Sequence, residues 1–61
     1  MSNYFVAGQV VRGIGARKGY FVVEGYTNSG LVRLRCYHAE SMRTALPEED
    51  LTSTTFDTVT V

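Results

Sequence analysis

The stretch "YFVVEGYTNSGLVRLRCY", residues 20–37, decides the fold. Two runs rich in Val, Tyr, Phe and Leu flank "TNSG", residues 27–30, where Asn28 and Gly30 supply the positive φ angles that a tight hairpin needs. Strands are therefore expected over residues 20–27 and 31–38. Side chains alternate across a strand, so Val32, Leu34 and Cys36 share one face, small and apolar, suited to a core. Leu31, Arg33, Arg35 and Tyr37 take the other, which is basic and aromatic and suits water or a ligand.

Upstream, glycines at positions 8, 13, 15 and 19 leave no room for a long helix, because each costs about 1 kcal/mol relative to alanine in a helix interior. Residues 4–12 read instead as a first strand, lightly broken at Gly8. Downstream, residues 38–41 are a polar connection and residues 42–46 a fourth short strand. Pro47 opens "PEEDL", whose acidic residues complement the positive end of a single tight helical turn. The closing "STTFDTVTV", residues 53–61, is high in β propensity and either pairs as a fifth strand, here or in a partner, or frays. The fold class expected is all-β, five short strands with one 3-10 turn before the last, which is the order of a small closed barrel.

Sixty-one residues form one domain with a small core, burying roughly 60 % of the unfolded chain's surface. The single cysteine, Cys36, has no internal disulfide partner, and no Cys/His quartet supports a structural zinc. Self-association as a homo-oligomer is the remaining expected support. No apolar run approaches the roughly 20 residues that span a bilayer, and no leader pattern opens the chain, so the expected location is cytoplasmic.

Net charge is zero, but unevenly distributed. Residues 1–47 carry all six cations (Arg12, Arg17, Lys18, Arg33, Arg35, Arg43) against Glu24 and Glu40, a balance of +4, while residues 48–61 carry Glu48, Glu49, Asp50 and Asp57, a balance of −4. The division fits an anion-binding face with an acidic tail, or two solvated surfaces that attract one another.

Phe5-x-x-Gly8-x-x-Val11-Arg12, Gly19-x-Phe21-x-Val23, Gly30-x-Val32-x-Leu34 and Leu46-Pro47-x-x-Asp50-Leu51 together resemble the pattern of Src-homology-3-like (SH3-like) small barrels over residues 4–52. That group includes KOW and Tudor-type modules and, by fold pattern, the plasmid-borne type II dihydrofolate reductases. The resemblance implies a five-stranded barrel whose first long loop helps to line a binding surface. Its members bind RNA, DNA, protein tails or cofactors, so fold alone does not assign a function.

"RGIGARKGY", residues 12–20, raises the question of a phosphate loop. A dinucleotide fingerprint requires G-x-G-x-x-G between a strand and a helix. Here the spacing is Gly13-x-Gly15-x-x-x-Gly19 and a strand follows, so the glycines read as a hairpin loop with Arg17 and Lys18 at its tip. Those cations still suit a phosphate backbone or an acidic peptide. Cys36-x-His38-x-Glu40 would align three metal donors on one face, but Cys36 falls in register with core positions and reads as a small hydrophobe. No spacing fixes a nucleophile beside a base, so no enzyme activity and no cofactor are expected.

Two functions follow. The first is nucleic-acid binding through Arg12, Arg17, Lys18, Tyr20, Arg33, Arg35 and Tyr37, with Tyr26 projecting nearby, because interleaved cations and rings follow phosphates and stack on bases. The second is a protein-interaction or regulatory module acting through the tyrosines, the glycine loop or an exposed final strand. The bland counterpart of both is a solvated sheet face whose long side chains cover the core edge.

Overall fold

A computed structural model of the chain describes residues 5–15 and 18–58, with the side chains of residues 55–58 outside that description. Five strands, β1 (Gln9–Gly13), β2 (Gly19–Tyr26), β3 (Val32–Cys36), β4 (Ala39–Leu46) and β5 (Leu51–Thr58), form one antiparallel sheet in the order β4-β3-β2-β1-β5. A 3-10 turn, Glu48–Asp50, joins the last two, and no α-helix occurs among the described residues.

The connection forces the sheet to curl. β4 and β5 lie at opposite ends of the strand order, which in a flat sheet would separate them by roughly 19 Å at about 4.8 Å per step. Residues 47–50, wound partly at about 2 Å per residue, cannot span that distance. The sheet therefore rolls around its core, but β4 and β5 do not pair, so the expected barrel stays open along one seam.

The residues inside are Phe5, Val11, Phe21, Val23, Val32, Leu34 and Leu51, with Tyr26, Cys36 and Leu46 packed against them. Cross-strand pairs Val11↔Phe21 and Val23↔Leu34 place these side chains on one face, as the alternation of residues 31–38 requires. Each such burial contributes roughly 1.5–3 kcal/mol. A second pair, Val10↔Val22, is also fully buried but faces the other way, so the centre of β2 is covered on both sides.

Boundaries move from the sequence expectation for local reasons. Of the expected first strand, residue 4 lies outside the described residues and residues 5–8 are not strand: a turn at Ala7 and Gly8 precedes β1, with the Gln9 amide donating to the Val6 carbonyl at 3.1 Å, and among the described lead-in residues only Phe5 is buried. β4 starts earlier than expected, at Ala39, because the polar residues of the supposed connection form a bulged edge strand: Cys36 pairs with Ala39 but Arg35 pairs with Arg43. β5 bulges likewise, and where the ladder from β1 breaks, the Thr54 hydroxyl donates to the Val10 carbonyl at 3.0 Å. Residues 59–61 of the expected last strand lie outside the described residues.

In the hairpin, the Gly30 amide donates to the Thr27 carbonyl at 3.0 Å and the Thr27 amide to the Leu31 carbonyl at 2.8 Å. Gly30 alone takes the positive φ, +90°, and no described non-glycine residue does, so Asn28 does not share that role. The result is a right-handed turn closed by a left-handed glycine, a standard three-residue hairpin connection. No helix among the described residues is long and apolar enough to cross a membrane.

Candidate functional site

Register fixes which expected site residues share a surface. Arg12 pairs with Tyr20, and the Tyr37 amide donates to the Tyr20 carbonyl at 3.0 Å, carrying the β2–β3 ladder one step past Phe21↔Cys36. Because Phe21 and Cys36 pack inward, Tyr20 and Tyr37 lie on the face opposite the core, and Arg12 lies beside Tyr20. Both rings are 38 % exposed. His38 meets Tyr37 edge-on, with ring centroids 4.8 Å apart and planes at 88°, a favourable quadrupole arrangement that braces the tyrosine ring.

Two steps further along β3 lies Arg35, and two further still Arg33, both on this face. They differ in environment. Arg35 is 19 % exposed and its guanidinium sits 3.6 Å from Glu24 and 3.8 Å from Glu40. Arg43, its cross-strand neighbour, reaches Glu24 at 3.1 Å and also donates to the Glu40 carbonyl. Arg12, Lys18 and Arg33 are exposed and form no ion pair with any described residue. Of the five described cations, Arg35 and Arg43 are held by Glu24 and Glu40, whereas Arg12, Lys18 and Arg33 are not. Arg17 lies outside the described residues.

The acidic segment neutralises none of these cations among the described residues. Glu48 accepts a hydrogen bond from the Tyr26 hydroxyl, which itself accepts the Phe5 amide at 3.1 Å. Asp50 turns toward the glycine loop: the Ile14 amide donates to its carbonyl at 2.9 Å, and its carboxylate oxygen lies 3.4 Å from where a side chain at Gly15 would begin. A carboxylate held against Gly15 makes that part of the loop a poor phosphate cradle, in keeping with the structural reading of the glycines.

Tyr26 does not join the exposed rings. Simple alternation from Val22 would put it on the outer face, but a bulge sets both Glu24 and Gly25 against Arg33, so Tyr26 pairs with Val32 and turns to the core side. Gly25 takes φ +152° there, a conformation that side chains rarely adopt. The extra residue was invisible to a period-two pattern. Its one signal was a glycine inside a strand.

The metal alignment dissolves for similar reasons: Cys36 packs against the core, His38 lies against Tyr37 and Glu40 turns to Arg35. Among the described residues no group of three His, Cys, Asp or Glu side chains is placed to hold a metal ion. Sequence reasoning also missed an open groove of about 370 Å³ lined by Phe5, Glu48, Leu51, Thr52 and Ser53, which none of the expected site residues borders. Comparison with protein-family models, curated proteins and solved structures finds no match for this chain.

Proposed function

We propose that this chain is a small nucleic-acid-binding module that uses the sheet face bearing Arg12, Tyr20, Arg33 and Tyr37, together with Lys18 at the loop beside it. The observation that carries the reading is the row Arg12, Tyr20, Tyr37: a cation and two partly exposed tyrosines set side by side by the β1–β2 pairing and by the hydrogen bond from the Tyr37 amide, in the turn after β3, to the Tyr20 carbonyl. Cations there attract phosphate, and rings offer stacking surfaces to bases. Strand order and the 3-10 turn before β5 support the resemblance to SH3-like barrels, in which the first long loop helps to line the binding surface. The test is fluorescence anisotropy with labelled single-stranded and duplex oligonucleotides at about 50 and 200 mM salt, the range over which phosphate contacts lose their hold. Binding that weakens with salt supports the reading, and no binding to either probe at low salt removes it.

A second reading, a protein-interaction module, rests on β5. It is an outermost strand, its sequence "LTSTTFDT" holds a single charge, and it therefore lacks the charged blunting seen at β4 with Glu40 and Arg43. Strand addition at this edge, by another protein or by a second copy, is the interaction it fits. A monomer in light scattering at high concentration, together with a lysate pull-down that recovers nothing above controls, removes this reading.

A further inference from the structure

Resting on the nucleic-acid reading, we infer that the ligand is an unpaired strand, two of whose bases stack on Tyr37 and Tyr20 while its phosphates run toward Arg12 and Lys18. The argument begins with what a ring on a sheet face can touch. In a duplex the base faces are stacked on one another, and only their edges in the grooves and the phosphates are accessible, normally to a projecting helix or two-stranded ribbon. Tyr20 lies in β2 and Tyr37 opens the turn after β3, bonded back to the Tyr20 carbonyl at the end of the sheet, and a duplex, whose base faces are already covered, gains nothing from their rings. Unstacked bases present the flat faces that tyrosines cover.

Spacing agrees. Directly opposed residues in an antiparallel ladder lie roughly 4.5–5.5 Å apart, so the rung from Tyr37 through Tyr20 to Arg12 spans about 10 Å across three strands. That span places two bases side by side and a phosphate beyond them. The rung lies at right angles to the strands, so the ligand crosses the sheet from β3 toward β1.

Charge gives the second constraint. With Arg35 and Arg43 held by Glu24, two described cations remain for phosphates along this path, Arg12 and Lys18, while Arg33 lies four residues back along β3 from Tyr37, roughly 13 Å away at about 3.3 Å per residue. Two contacts to a single strand imply that log K falls against log salt with a slope of about −1.4.

The experiment is anisotropy titration of the full chain with a fluorescein-labelled mixed-sequence 12-nucleotide single strand, and with the same strand annealed to its complement. The expected result is single-strand binding at least about tenfold tighter than duplex binding. Tyr20→Leu and Tyr37→Leu, which keep apolar bulk, each weaken single-strand binding about tenfold, within the range that base stacking contributes, whereas Tyr20→Phe and Tyr37→Phe bind like the parent. A cooperative melt of each variant shows that folding is intact. Duplex binding as tight as single-strand binding, or folded Leu variants that bind like the parent, overturns this inference and leaves the nucleic-acid reading standing. No binding to either probe overturns both.

Discussion

Tyr26 and Glu48 are joined by a hydrogen bond that ties the end of β2 to the 3-10 turn, and the same hydroxyl accepts the amide of Phe5 at 3.1 Å. One side chain thus fastens three segments that approach from different directions: the lead-in to β1, the hairpin strand and the connection to the final strand. In a chain of this size total stability is roughly 3–9 kcal/mol, so a single junction of this kind is a sizeable share. Tyr26→Phe keeps the packed ring and removes the hydroxyl, leaving the Phe5 amide without this acceptor. The expected cost is about 1–2 kcal/mol in denaturant unfolding. Glu48→Gln keeps an acceptor opposite the hydroxyl and costs less. A Tyr26→Phe chain as stable as the parent would show that the junction is incidental.

Leu34 is fully buried at the middle of β3, between Val23 on β2 and Thr44 on β4. Leu34→Ala loses both the transfer of its methyl groups and the contacts around the cavity left behind, an expected 2–5 kcal/mol. That is comparable with the whole stability, so the variant melts near or below room temperature. Met42→Ala, on the bulged and exposed part of β4, changes stability by less than about 0.5 kcal/mol. Equal effects at the two positions would contradict the assignment of inner and outer faces.

The hairpin and its faces were legible in residues 20–37 because period-two alternation there is uninterrupted on β3, and the turn carries its own glycine signal. Legible too was the placement of Arg33, Arg35 and Tyr37 on one strand face, whereas the position of Arg12 beside Tyr20 follows from strand pairing that alternation does not reveal. What the sequence hid were departures from simple periods. The bulge at Gly25 reversed Tyr26, the three extra residues of β4 disguised a strand as a polar connection, and β5 took up four residues against one of β1. The charge balance was read at the level of segments, and the acidic tail was set against the basic body. In the folded chain the carboxylates that meet arginines are Glu24 and Glu40, brought there by pairing between strands distant in sequence, and segment totals carry no information about that.

Gly30 closes the hairpin at φ +90°, where a Cβ costs on the order of 1–2 kcal/mol. Gly30→Ala is expected to destabilise by about 1 kcal/mol, and Gly30→Asn by less, since asparagine tolerates this conformation. The measurement is the midpoint of thermal unfolding, where 1 kcal/mol corresponds to roughly 4–8 °C in Tm for a domain of this size. Asparagine and alanine behaving alike would mean that the turn relaxes into another type.

Glu24 holds two arginines at once, with Arg43 at 3.1 Å and Arg35 at 3.6 Å, and all three side chains touch solvent. Pairs of this exposure contribute between nothing and about 1 kcal/mol each, so Glu24→Gln is expected to leave the fold nearly as stable as before. Its effect on binding runs the other way. Removing the carboxylate leaves Arg43 without an ion pair, though still donating to the Glu40 carbonyl, and frees Arg35 in part, since Glu40 remains 3.8 Å from it. Single-strand affinity should rise, and the dependence of log K on log salt should steepen from about −1.4 to between about −2 and −3 as one or two further cations reach phosphates. Lys18→Gln should flatten the same slope by about 0.7 without altering stability, because the side chain is exposed and forms no ion pair among the described residues. A Glu24→Gln chain whose affinity and slope equal the parent's would place the nucleic-acid surface elsewhere than on the face that Arg35 and Arg43 share with Tyr20.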